Sequence, residues 1–155
     1  MRIRTSLLTL AVLFAAATVC FAADDPNMGS WKLNEAKSKF GAGAPKNTSV
    51  VYEAAGDSVK VTVEGVSSDG KSTHTEWTGK FDGKDYPVTG DGTADSRSYK
   101  RINANTLAMT NKKDGKPTIT GHITVSPDGK TRTVKVSGVD ANGQKFTSTA
   151  VYDKQ

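Results

Sequence analysis

The sequence predicts an all-β domain: an antiparallel, up-and-down β-barrel of about 8–10 strands. Two observations carry this expectation. Turn-forming dipeptides recur at hairpin spacing, and apolar and polar residues alternate in the segments between them. A third observation removes the alternatives that depend on covalent staples, because the one cysteine of the chain, Cys20, lies in an N-terminal segment that reads as a leader.

The turns come first because they set the register. Gly56-Asp57, Asp69-Gly70, Asp82-Gly83, Asp91-Gly92, Asp114-Gly115, Asp128-Gly129 and Asn142-Gly143 punctuate the chain. Asp, Asn and Gly tolerate positive φ, which tight hairpin turns need to match the twist of the flanking strands. Four of these turns read Asp-Gly-Lys. The segments between them are unlike one another, so this is shared turn chemistry rather than a structural repeat.

Between the turns, Val59, Val61 and Val63 alternate with Lys60, Thr62 and Glu64, and Val134 and Val136 alternate with Thr133, Lys135 and Ser137. That is the pattern of a half-buried strand. Ten strands are expected, near 29–34, 48–55, 58–66, 71–81, 84–89, 95–102, 105–112, 116–126, 130–138 and 144–153. One helical turn fits at 35–40, before Gly41, Gly43 and Pro45 break it. Strands joined in order by short turns form a meander, and closing it removes the exposed edges that would invite aggregation. A two-sheet sandwich is the alternative arrangement.

Residues 1–22 read as a cleavable signal peptide. Arg2 and Arg4 precede an apolar run over 7–17, and small residues at Cys20 and Ala22 suit a cut before Ala23. The run is shorter than the roughly 20 residues that span a bilayer, so stable membrane insertion is not expected. Lipidation at Cys20 fits poorly, with Val19 where a small residue is wanted. Residues 23–155 then form a single exported domain, periplasmic or extracellular and monomeric, whose core must suffice without disulfides. A domain of this length buries roughly two-thirds of its unfolded surface, which makes that feasible. The formal net charge is +5, of which Arg2 and Arg4 contribute two. The remaining charges are interspersed, which argues against nucleic-acid binding.

The first strand opens Gly29-Ser30-Trp31-Lys32-Leu33 and the last closes Ser148-Thr149-Ala150-Val151-Tyr152-Asp153-Lys154. The opening resembles the Gly-x-Trp signature of lipocalins and fatty-acid-binding proteins, and the closing strand resembles that of the fatty-acid-binding branch. The resemblance implies a calycin barrel in which Trp31 plugs one end against the last strands. Two departures matter. Only residues 34–47 stand where that branch carries a helix-turn-helix lid, and Ala150 stands where it places a carboxylate-holding arginine two residues before the tyrosine. The chain is closer to small exported bacterial lipocalin-like proteins.

Catalytic and metal chemistry find little support. His74 and His122 fall on expected solvent faces without metal-ligand spacing, no Gly-x-Ser-x-Gly occurs, and the carboxylates cluster in turns where geometry explains them. The expectation is a non-enzyme without cofactor or metal. In the segment Arg97-Ser98-Tyr99-Lys100-Arg101, period two places Arg97, Tyr99 and Arg101 on one face. Either that face lies in solvent, or it turns two arginines into the barrel as an anion clamp. Two functions follow. The first is a carrier of a small hydrophobic or amphipathic molecule, with Trp77, Phe81, Tyr86, Arg97, Tyr99, Met109, Phe146 and Tyr152 lining the cavity. The second is an envelope interaction module with a filled core. On the last strand Phe146, Ser148, Ala150 and Tyr152 share a face, so neutral ligands should be preferred to carboxylates unless Arg97 or Arg101 turns inward.

Overall fold

The computed structural model describes residues 25–140 and 142–155. The expected signal peptide over 1–22 lies outside the described residues. The strands are β1 (Gly29–Leu33), β2 (Lys39–Phe40), β3 (Lys46–Ala55), β4 (Ser58–Val66), β5 (Ser72–Gly79), β6 (Tyr86–Thr89), β7 (Ser96–Asn103), β8 (Thr106–Lys113), β9 (Lys116–Val125), β10 (Thr131–Val139) and β11 (Lys145–Lys154), with a 3-10 turn at Glu35–Lys37. Ten of them form one closed antiparallel barrel in sequence order, and β1 seals it by pairing with both β3 and β11. The ten predicted strands are these ten.

The short strand β2 was not expected. It pairs with β11 at Phe40↔Ser148 and Lys39↔Thr149, while β1 covers the same edge further on at Leu33↔Tyr152. Together they leave little of the β11 edge unpaired, which a closed barrel requires. The 3-10 turn between them is capped by the Asn34 side chain, which accepts from the Lys37 N–H. No helix-turn-helix lid occupies this connection.

Hairpin geometry follows the turn chemistry. At Asp114-Gly115 both residues have positive φ, 50° and 74°, as a two-residue turn between twisted strands demands. At Asp91-Gly92 it is instead Gly90 that has positive φ, 77°. Asp91 is thereby placed for another task.

Odd and even connections divide the barrel into two ends. Connections 34–45, 67–71, 90–95, 114–115 and 140–144 gather at one end. Turns 56–57, 80–85, 104–105 and 126–130 gather at the other, with the start of β1. That second end is filled. Trp31 is 1% exposed and donates its indole N–H to the Asn27 carbonyl at 2.9 Å, and Asp25 pairs with Arg101 beside it. Trp77 stacks on Phe81 and meets the edges of Tyr86 and Tyr99 at centroid distances of 5.7 and 4.8 Å. Gly79 makes this packing possible, since a Cβ there would stand 2.5 Å from the Tyr86 ring.

Candidate functional site

Above the aromatic plug the barrel is hollow. A cavity of about 560 Å³ opens between the connections of the first end, at Gly43, Pro45, Ser67, Gly92 and Asn142. Its apolar wall comes from alternate residues of neighbouring strands: Val50 and Val63, Met109, Ile119 and Ile123, then Val134, Val136 and Phe146. Each is the inward position of a period-two strand. A larger depression of about 810 Å³ lies outside β8 to β11, beside Lys39, His122 and Lys135, but it is a solvated outer surface without buried charge.

Polar groups reach the cavity from two arginines. Long cations are almost never fully buried unless paired. Arg97, 7% exposed, is paired: its Nε donates to Asn111 Oδ1 at 2.7 Å and its Nη2 to Asp91 Oδ2 at 3.1 Å. Tyr99 takes a longer bond from Nη1 at 3.5 Å. Burial works against this guanidinium, but Tyr99 and Asp91 outweigh it and its pKa is raised, so it stays charged. Its backbone carbonyl accepts from the Trp77 indole at 2.9 Å, which ties the network to the plug.

Arg132, 3% exposed, is arranged differently. Its guanidinium lies 4.9 Å from the Tyr52 ring centroid and 5.3 Å from that of Tyr152, and its Nη2 donates to the Tyr52 hydroxyl at 2.6 Å. Nε and Nη1 are buried and have no hydrogen-bond partner among the described residues. Burial pushes the pKa of Tyr52 far up, with Arg132 opposing, and burial raises that of Tyr152 in the same way. Both phenols therefore remain neutral hydroxyls at ordinary pH.

Of the residues expected to line the cavity, Arg97, Tyr99, Met109, Phe146 and Tyr152 do so. Trp77, Phe81 and Tyr86 do not: they pack against one another in the plug, because rings of that size fill a small barrel completely. The question left by the Arg97-Tyr99-Arg101 face is answered, since Lys100 and Ile102 are exposed and the arginines turn in. Arg101, however, sits in the plug over Phe81 and against Asp25, away from the cavity. Sequence reasoning missed Arg132, Tyr52 and Asn111. The signal was present, since Arg132 shares the face of Val134 and Val136, Tyr52 that of Val50, and Asn111 that of Leu107 and Met109. Asp91, read as turn chemistry alone, also holds Arg97.

His74 is exposed on β5, hydrogen-bonded to Glu64, which raises its pKa; His122 is exposed on β9. Among the described residues no three His, Cys, Asp or Glu groups gather as metal ligands, and no helix is long and apolar enough to cross a membrane.

No protein-family model and no curated protein matches this chain. Among solved structures it is similar to one described as EF1p2_mFAP2b bound to DFHBI, with 11% identity and a TM-score of 0.50, over 84% of this chain and 94% of that one. It is also similar to a redesigned β-barrel, mFAP1, bound to DFHBI, with 14% identity and a TM-score of 0.44, over 85% and 98% of the two chains. At such identities the likeness concerns the fold alone, and the fold is a closed, up-and-down antiparallel barrel.

Proposed function

We propose that this chain is an exported, monomeric, non-enzymatic carrier that holds one small apolar or amphipathic molecule inside its barrel. The observation that supports this reading most directly is the contrast between a barrel end packed with aromatic rings and a hollow of about 560 Å³ at the other. Ligand pockets for small organic molecules fall in the range of roughly 300–1,000 Å³, with mostly apolar walls and a few placed polar groups. The wall of Val, Ile, Met and Phe side chains with Arg97 and Arg132 among them has that composition. The similar barrel EF1p2_mFAP2b has a small molecule, DFHBI, bound.

Native mass spectrometry of protein purified from its own cells tests the carrier reading. The expected result is a stoichiometric adduct, released by organic extraction, together with uptake of a neutral solvatochromic dye by the extracted protein. A bare mass and no dye uptake would point to the filled-core interaction module instead. The same spectrum tests export, since the mature chain should begin at Ala23 or Asp24; a chain starting at a lipidated Cys20 would contradict it.

A further inference from the structure

We infer that the outer wall over β8 to β11 is a docking surface for an acidic polysaccharide of the uronate class, a polymer with one carboxylate and several free hydroxyls on each sugar. The surface lies outside the barrel and is independent of the carrier reading.

The two outer walls of the barrel differ in charge. On β3, β4 and β5 the signs are mixed and the cations have partners: Lys60 pairs with Glu76 at 2.6 Å, His74 with Glu64, and Lys46 with Glu35. Strands β8 to β11 instead carry six lysines and a single carboxylate, Asp153, which is held by Asn34 and Lys37. Lys112 reaches Asp85 in a neighbouring connection. Among the described residues Lys135 and Lys145, and Lys39 of the adjoining β2, have no carboxylate within ion-pair distance. A wall of exposed cations without acids of its own is complementary to an anionic partner.

Register arranges this wall in rows. Thr110, Thr120, Ser137 and Thr147 are successive cross-strand neighbours and form one outward rung. The next rung runs Ala108, His122, Lys135, Thr149 and Lys39. Neighbours within a rung are one strand spacing apart, about 4.8 Å. Thr120, Ser137 and Thr147 are exposed, and among the described residues no hydroxyl of the first rung bonds another protein group, whereas Thr118 donates to the Asn111 carbonyl. The surface is also sunken. A Cβ at Gly121 would stand 2.1 Å from the Lys135 carbonyl oxygen and one at Gly138 2.5 Å from that of Thr118, so only glycine permits the bend of β9 and β10 here. The resulting depression of about 810 Å³ holds both rungs.

This pattern selects the partner. Each Thr or Ser hydroxyl offers one donor and two acceptor positions, which matches the hydroxyls of a sugar, and the flanking lysines supply point charges for carboxylates. A protein partner or an inserted lipid calls for aromatic or aliphatic anchors, yet the large exposed apolar residue among those described is Ile102, away on β7. Single-stranded nucleic acid calls for stacking rings and arginines, but Arg132, Phe146 and Tyr152 of these strands are buried toward the interior. The outward lysines are spaced among hydroxyls rather than clustered, which fits one charge per sugar better than the denser charge of a sulfated polymer.

Isothermal titration calorimetry of the intact protein at about 50 mM salt, where surface charges are only partly screened, tests the inference with oligogalacturonate, neutral dextran, dextran sulfate and an oligothymidylate. Oligogalacturonate should bind more tightly than the other three. Lys39→Gln combined with Lys135→Gln should weaken it about 5- to 20-fold, as two surface charge contacts together imply. Lys60→Gln combined with Lys80→Gln removes the same charge from the opposite wall and should change it less than about 2-fold. Thr120→Val combined with Thr147→Val keeps shape and charge but removes two hydroxyls; it should weaken oligogalacturonate about 3- to 10-fold and leave oligothymidylate unchanged, with Thr→Ser at both positions restoring binding. Neutral-dye uptake should be the same in every variant as in wild type, which keeps the result separate from the carrier reading and shows that each variant is folded. No binding of oligogalacturonate, equal weakening by the two lysine pairs, tighter binding of dextran sulfate or oligothymidylate, or indifference to the valine pair would each overturn the docking surface.

Discussion

The two ends of this barrel are built from the same strands with the same alternation, yet one is filled and the other is hollow. The difference lies in side-chain size at inward positions. At the plugged end the inward residues are Trp31, Tyr52, Trp77 and Tyr99, joined by Phe81 from the 80–85 connection. At the mouth they are Val50, Val63, Ile119, Val134 and Val136. A barrel of this size has just enough interior to be filled by large side chains, so smaller residues at the same pitch leave room for a ligand. Stability and binding are thereby assigned to different ends, and substitutions should separate them.

The largest effect is expected at the plug. Trp31→Ala removes a ring that is 1% exposed and hydrogen-bonded to the Asn27 carbonyl, and should cost about 3–5 kcal/mol in denaturant unfolding. A loss as small as that of a surface change would mean that Trp31 does not close this end. Next is Asp91→Asn, which leaves Arg97 facing a neutral amide. The pair is at the rim, with the Asp91 side chain 16% exposed, so about 2 kcal/mol is expected, below the usual cost of breaking a fully buried pair. A change within experimental error would show that Asn111 and Tyr99 suffice to hold Arg97.

At the hollow end the sign changes. Val136→Phe projects a ring into the cavity and should leave stability unchanged or raise it by up to about 1 kcal/mol, while reducing uptake of a neutral dye. If it destabilises as much as truncation in the plug, the mouth half is packed rather than open. The smallest effect belongs to the outer wall. Glu64 raises the pKa of exposed His74 above its unfolded value, so any stabilisation from this pair is complete below about pH 6.5 and fades as pH rises through the raised folded value. His74→Gln should therefore lower the melting temperature slightly at pH 5 and not at pH 9. An equal difference at both pH values would mean that the pair contributes nothing.

The site was less legible than the fold, and the residues show why. Period two places Arg132 on the face of Val134 and Val136 without ambiguity, but composition argues that a charged residue near a turn points to solvent. What overrides composition is the pair of tyrosines on β3 and β11, which surround the guanidinium. Tyr152 is a cross-strand neighbour of Arg132, whereas Tyr52 is 80 residues away in sequence. Trp77, Phe81 and Tyr86 were misplaced for the converse reason. Alternation says inward, but it does not say at which height in the barrel an inward ring ends up.

The sequence by itself determined the strands, their turns and the inward face of most of them, because these depend on local φ preferences and on a period that any half-buried strand must obey. The tertiary structure alone decided closure, the added edge strand β2, and the division into plug and cavity. It also decided which arginines find partners: Arg97 meets Asp91 and Asn111, Arg101 meets Asp25, and Arg132 meets two phenol rings. These outcomes depend on which residues meet across the barrel, and the partners come from strands and termini that local sequence cannot bring together.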